Sequence, residues 1–310
     1  MNVLDKRLVE DVAARLSSDP GLIEKDWHVT RALGVIAVFN HGDAQPAFGG
    51  GTSLSKGWGL IKRFSEDIDF KVAMPSGISR NQAKKRRSAY REQILAVLCD
   101  AGFTLGNDVM KGDESRFFSA DLLYPSLFAT GRGLRPHIRV EMSMTASALP
   151  PVARPIASLI TATQSKPPEI AAFLCVQPVE TAADKLSALA WRVHARERGG
   201  VDDDPTIIRH LHDLAALKDS VGTASSFPNL ALKAVSDDEG RGGTATTGIK
   251  PAALFAGMLE RLAADPLWAR EYQDYVQQVS YAELDQLISF EQALAAVRDL
   301  VALISGGGHA

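Results

Sequence analysis

Phe48-Gly49-Gly50-Gly51-Thr52-Ser53-Leu54-Ser55-Lys56, followed by Phe64-Ser65-Glu66-Asp67-Ile68-Asp69-Phe70, is the stretch on which the fold turns. Ala47 to Gly51 reads as a short strand entering a glycine turn, and Leu54 to Ile61 as a helix. Consecutive glycines ahead of a helix let backbone N–H groups approach phosphate oxygens. Gly50, Gly51, Thr52 and Ser53 are the candidate contacts, with Lys56 adding a point charge. Ile68 to Val72 alternates and reads as a strand, so Asp67 and Asp69 project from one face. Two carboxylates that close repel unless a cation sits between them. Mg²⁺ takes one or two protein carboxylates plus substrate phosphates. A glycine cradle followed by a carboxylate pair is therefore a site for a nucleoside triphosphate (NTP) with Mg²⁺, or with Mn²⁺ in its place. Ser65 reads either as a further contact to the triphosphate, as a modification site, or as a serine that starts the strand.

Outward from this segment, Ile23 to Phe39 has the apolar spacing of a helix, as does the strongly basic Arg80 to Ala101. Phe117 to Tyr124 and Ile138 to Met144 have strand character. Composition changes over Pro150 to Ile160. Beyond it the chain reads as helices over Pro178 to Arg196, Pro205 to Ser220, Pro251 to Ala264 and Ser289 to Ile304. The expected architecture is bilobed: an α/β (α+β) lobe over 1–155 and a mostly helical lobe over 156–310. A cleft between two such lobes is a natural place for an active site.

The chain has 310 residues, 45% of them hydrophobic, and can bury a sizeable core without staples. Its two cysteines, Cys99 and Cys175, form no CxxC pair, which excludes a zinc framework and suits a reducing compartment. No apolar run is long enough to span a bilayer. A cytoplasmic monomer with no membrane partner is expected. A net charge of −3 argues against sequence-independent coating of nucleic acid, but a local patch is enough for an RNA backbone. Arg80, Lys84, Lys85, Arg86, Arg87 and Arg91 make such a patch, extended by Lys56, Lys62 and Arg63, or are simply a solvated face.

Gly-Gly-Thr-Ser-Leu-Ser-Lys56 with Arg63-Phe-Ser-Glu-Asp-Ile-Asp69 resembles the AbiEii family of bacterial nucleotidyltransferase toxins, within the polymerase-β-like superfamily. Ile23-Glu-Lys-Asp-Trp-His-Val-Thr-Arg-Ala-Leu33 is similar to that family's N-terminal helix. The resemblance implies a third acid on a later strand. Glu141 in Ile138-Arg-Val-Glu-Met-Ser-Met144 is the candidate, as a metal ligand or a catalytic acid; the alternative is a surface ion pair with Arg139. It also implies a phosphate-contacting lysine, Lys185, which could equally be a snorkelling surface lysine. In Pro205-Thr-Ile-Ile-Arg209-His-Leu-His-Asp213 it implies that Asp213 is an active-site acid or orients Lys185. Here the alternative is an ion pair between Arg209 and Asp213, four residues apart. Arg209 is a candidate nucleotide contact, although His210 stands where relatives have an acid. The resemblance further implies an acceptor such as the 3′ end of transfer RNA, a block on translation, and a cognate antitoxin. Nucleotidylation of a small molecule or a protein, and a non-catalytic nucleotide-binding module, are the competing expectations.

Overall fold

The computed structural model describes residues 4–106, 109–129, 135–201 and 203–306. The chain forms two compact units, Met1–Gln177 and Pro178–Ala310. The first holds α1 (Lys6–Arg15), α2 (Pro20–Val38), β1 (Gln45–Gly49), α3 (Gly50–Lys56), β2 (Asp67–Ala73) and α4 (Arg80–Asp100). It continues with β3 (Thr104–Leu105), β4 (Met110–Gly112), β5 (Phe117–Leu123), β6 (Ile138–Ser143), β7 (Val152–Ile156), α5 (Leu159–Thr163) and β8 (Ile170–Cys175). The second holds α6 (Pro178–Ala195), α7 (Arg209–Val221), α8 (Phe227–Asp237), α9 (Pro251–Ala264), α10 (Leu267–Val279) and α11 (Phe290–Gly306).

The eight strands make one mixed sheet in the order β3-β5-β6-β2-β1-β8-β7, with β4 on β5. Here the sequence expectation needs moving. The composition change near Pro150 is not the edge of the first unit, because β7 and β8 add two more strands. β8 pairs in parallel with β1, through Phe48 and Cys175. Backbone hydrogen bonding, not composition, carries the unit on to Gln177. The short runs Val152–Ile156 and Ile170–Cys175 lack the alternation that marks β2 and β6. α8 and α10 were also not legible.

Alternation puts Ile68, Phe70 and Val72 of β2 and Ile138, Val140 and Met142 of β6 on one face. They form one core with Val29, Leu33 and Ile36 of α2 and Tyr90, Ile94 and Leu98 of α4. Each such side chain contributes about 1.5–3 kcal/mol of burial. The opposite face of the same strands is left to polar residues, and it carries the site.

α2 starts at Asp19, whose carboxylate accepts from Gly21 N at 2.7 Å, with Pro20 in the first turn. Within it stand three consecutive charged residues, of which Glu24 and Lys25 are buried. Successive helix residues diverge by about 100°, so each reaches a different segment. Glu24 accepts from Leu127 N at 2.6 Å and Ser126 Oγ at 2.8 Å. Lys25 pairs with Glu66. Asp26 pairs with Lys56 at 2.6 Å and accepts from Leu159 N at 2.7 Å.

His28, on the same helix, stacks on Tyr124 with ring centroids 4.0 Å apart. Burial, then the Arg31 guanidinium, push its pKa down to about 3. In the unfolded chain the ring titrates near 6.5. Above that pH it is neutral in both states and contributes nothing. Below it only the unfolded chain takes up the proton, so stability falls as pH drops from about 6.5 towards 3, by at most about 1.4 kcal/mol per pH unit. His28→Phe, which keeps a ring against Tyr124, is expected to flatten the decline between pH 6 and pH 4. Urea midpoints measured across that range check it, and parallel declines in both proteins would refute it.

Candidate active site

The polar face is built by register. β1 runs antiparallel to β2 with Gly49 opposite Asp69, and β6 runs parallel to β2 with Asp69 opposite Glu141 and Asp67 opposite Arg139. β5 follows, with Ser119 opposite Glu141 and Asp121 opposite Arg139. Asp67, Asp69 and Glu141 therefore lie on one face of two adjacent strands, with the glycine turn at the edge of the group. That turn is forced by sterics. Gly50 has φ +67°, which favours glycine. A Cβ there would overlap Asp69 Oδ2 and come within 2.7 Å of Asp69 Cγ. The backbone of Gly50 thus lies directly against an acid carboxylate. Gly50→Ala is expected to displace Asp69, cutting nucleotide transfer about a hundredfold or more while costing about 1–3 kcal/mol of stability. Transfer assays beside thermal melts check both. Unchanged transfer would show that the close approach has no role.

Thr52 and Ser53 follow in α3. Both are buried, and the Thr52 hydroxyl donates to the Asp67 carbonyl, tying the glycine turn to the acid strand. Lys56 is not a point charge for the triphosphate. Its ammonium, on a side chain only 6% exposed, is held by Asp26 and donates to Thr30 Oγ1 at 2.9 Å. Helix α3 turns it towards α2 and the interior, which spacing from the glycines does not reveal. Gly51 packs over Arg63: a Cβ there would stand 2.7 Å from the guanidinium nitrogen Nη2 and 3.1 Å from Ser65 Oγ. Ser65 is half-buried beside the turn. Arg63 is itself buried, and donates to the Phe64 carbonyl at 2.9 Å. It is no part of a surface basic patch.

Glu141 does not pair with Arg139. That guanidinium reaches across to Asp121, with Nε 2.8 Å from Oδ1. Glu141 instead accepts from Ser119 Oγ at 3.4 Å. Burial, then the neighbouring Asp67, raise its pKa above the ordinary carboxyl value. The polar face continues into a cavity of about 360 Å³ lined by Ser119, Asp121, His137 and Arg139 among others.

Among the described residues no group of three or more His, Cys, Asp and Glu side chains is gathered around a metal position. Asp67 and Asp69, on one strand face, are the donor set that fits Mg²⁺, which needs one or two carboxylates and fills its remaining positions with water and phosphate oxygens.

Sequence reading missed Arg135. Its Nη2 donates to Asp67 Oδ1 at 2.5 Å, and its Nε to Glu66 Oε1 at 2.7 Å. Burial opposes its charge, but Asp67 and Glu66 outweigh that and raise its pKa. Nothing in the sequence distinguishes it from Arg132, three residues earlier. Lys25 and Glu66, by contrast, had a signal: a charged triplet inside an apolar helix, and an acid inside the motif.

In the second unit Lys185 on α6 and Asp213 on α7 meet, Nζ to Oδ2 2.7 Å, with side chains 8% and 0% exposed. Lys185 is therefore not a snorkelling surface residue. Asp213 does not form the helical pair with Arg209. Arg209 instead donates to Thr206 Oγ1 and lies 3.9 Å from Asp204, the residue that caps the turn before α7. His210, on the same helix, is held neutral: burial first, then Lys185, Arg209 and Arg192, press its pKa well below the ordinary value.

The basic helix α4 is largely spoken for. Arg87 and Arg91 are buried, Arg80 pairs with Glu114, and Arg86 lies 3.7 Å from Asp43. Arg80, Lys84, Lys85 and Arg86 are exposed.

A mixed sheet with an acid pair beside a glycine turn, and a mostly helical second unit, suit nucleotidyl transfer. The family described as nucleotidyl transferase AbiEii toxin, type IV toxin–antitoxin system, matches residues 31–296, and the chain belongs to that family. Among solved structures it is similar to MenT4, a nucleotidyltransferase toxin from Mycobacterium tuberculosis. The two are 20% identical, with a TM-score of 0.63 over 98% of this chain and 90% of that one. No curated protein matches the sequence. No helix among the described residues is long and apolar enough to cross a membrane.

Proposed function

We propose that this nucleotidyltransferase transfers a nucleoside monophosphate from an NTP to an RNA hydroxyl, at the 3′ end of transfer RNA, and so blocks translation in the cytoplasm until a cognate antitoxin counters it. The observation that carries the reading is the Asp67 and Asp69 pair set against the Gly50 backbone, with Glu141 opposite Asp69. Asp67 and Asp69 would hold Mg²⁺, or Mn²⁺, which when bound neutralises charge on the triphosphate. Gly50 and Gly51 offer backbone donors to its oxygens. The acceptor hydroxyl oxygen forms a bond to the α-phosphorus, the bond from that phosphorus to the bridging oxygen breaks, and pyrophosphate leaves. Glu141, with its raised pKa, receives the acceptor's proton. Lys185 neutralises developing charge on phosphate, and Asp213, 2.7 Å away, holds it in place.

Lys84 and Lys85 on α4 support an RNA backbone, but the burial of Arg87 and Arg91 leaves that patch smaller than its sequence implies. A small-molecule acceptor is therefore the second reading. Each labelled NTP, incubated with Mg²⁺ and either total RNA, isolated transfer RNA or small-molecule extract, decides between them. Label on transfer RNA that is lost on trimming its 3′ end is the expected result. Label only on small molecules or on protein would overturn the RNA reading.

A further inference from the structure

Four charged side chains meet beside the candidate metal site, two positive and two negative. Lys25 is buried and pairs with Glu66. Glu66 also accepts from Arg135, through Nε at 2.7 Å and through the backbone N at 3.1 Å. The Arg135 carbonyl accepts from Lys25 Nζ at 2.7 Å. The second guanidinium nitrogen, Nη2, crosses to Asp67 Oδ1 at 2.5 Å. Burial opposes the ammonium of Lys25 and lowers its pKa, while the adjoining Glu66 carboxylate favours the charge. Lys25 and Glu66 thus form a fixed mount. Arg135 is the cation on that mount which an incoming ligand can reach: its side chain is 31% exposed, against 4% for Lys25.

We propose that Arg135 is a resident cation of this site, holding the Asp67 carboxylate in the absence of a divalent ion and transferring its Nη2 contact to a phosphate oxygen when the triphosphate enters. The inference rests on the reading of Asp67 as a metal ligand and adds a positioning group to it. The physical reason is competition. A guanidinium bonded to Oδ1 occupies a lone pair that a cation would use, and its charge repels a second cation at that distance. A divalent ion alone therefore gains little at Asp67. A triphosphate changes the balance, because its oxygens suit the planar arginine fork as well as a carboxylate does. Nε remains on Glu66, so Arg135 need only redirect one arm. The consequence is a thermodynamic coupling: metal and nucleotide each raise the other's affinity, and Arg135 carries part of that coupling.

The test uses the full chain and Mn²⁺ as the probe, with binding read by electron paramagnetic resonance. Arg135→Gln removes the charge and leaves the backbone bond to Glu66. It is expected to bind Mn²⁺ about tenfold more tightly than wild type without nucleotide. A non-hydrolysable NTP is expected to improve Mn²⁺ affinity several-fold less in the variant than in wild type. Equal Mn²⁺ affinities, in a variant whose thermal melt shows it folded, overturn the proposal. The proposed function would still stand if Asp67→Asn abolished Mn²⁺ binding and transfer. Failure of the wild type to bind Mn²⁺ even with nucleotide would bring down both. If Arg135→Gln does not fold, arginine-labelled wild type gives the answer by nuclear magnetic resonance. Mg²⁺ with the non-hydrolysable NTP should shift the Arg135 side-chain signal, and Mg²⁺ alone should not. Equal shifts, or no shift in either case, would overturn the role.

Discussion

Asp67→Asn is expected to abolish nucleotide transfer, by at least about a thousandfold, and to leave the fold standing. Removing a single neutral donor to a transition state costs about 10²–10³ in rate; a carboxylate that holds a divalent ion supplies more. Asparagine keeps the shape of Asp67 and an oxygen that can still accept from Arg135 Nη2. The Asp67 carboxylate is 24% exposed, and Arg135 keeps Glu66, so the loss of stability should stay within about 1 kcal/mol. Asp69→Asn should behave alike, since Asp69 lies two residues along the same strand face and against Gly50. Label transfer and thermal melts on the same preparations measure both quantities. Transfer at a tenth of the wild-type rate or more in either variant would remove the acid pair from the reaction.

Lys185→Ala is the second large effect, and structure changes what it means. The sequence left Lys185 either as a phosphate contact or as a snorkelling surface lysine. Lys185 and Asp213 are instead a buried ion pair within the helical unit. Deleting the lysine removes a cation bonded at 2.7 Å to a fully buried carboxylate, which also lies 3.5 Å from His212 Nδ1. Breaking a buried pair from one side costs about 3–5 kcal/mol. Both Lys185→Ala and Asp213→Ala should shift the urea midpoint strongly. Lys185→Met combined with Asp213→Leu should recover much of the loss, because no lone charge remains. All three should be inactive. A double-mutant cycle showing no coupling between the two positions would show that the pair is not formed in solution. Since loss of activity in Lys185→Ala mixes chemistry with unfolding, the double substitution is the better probe of catalysis.

Much of the site was legible because alternation is local. The shared face of Asp67 and Asp69 follows from a period of two along one strand, while Glu141 was singled out by resemblance and alternation only puts it on the polar face of its own strand. Lys185 and Asp213 came from resemblance; periodicity left each of them a surface alternative. The errors have one cause. Thr52 and Lys56 were assigned by distance along the chain from the glycines, whereas α3 turns their side chains inward, where the Asp67 carbonyl and the Asp26 carboxylate take them up. Arg135 was invisible for the same reason, lying 68 residues from the aspartate it holds.

The sequence by itself determined the alternating strands, the helices with strong periodicity, the acid pair, and a glycine turn that tolerates a positive φ. Each depends on dihedral preference and side-chain alternation within a few residues. Tertiary structure alone decided the parallel register that sets Asp69 opposite Glu141, the two strands that extend the sheet to Gln177, and the partners of every buried charge. Those depend on which distant segments share hydrogen bonds and on which cation lies close enough to offset a buried carboxylate. Neither is encoded by spacing along the chain.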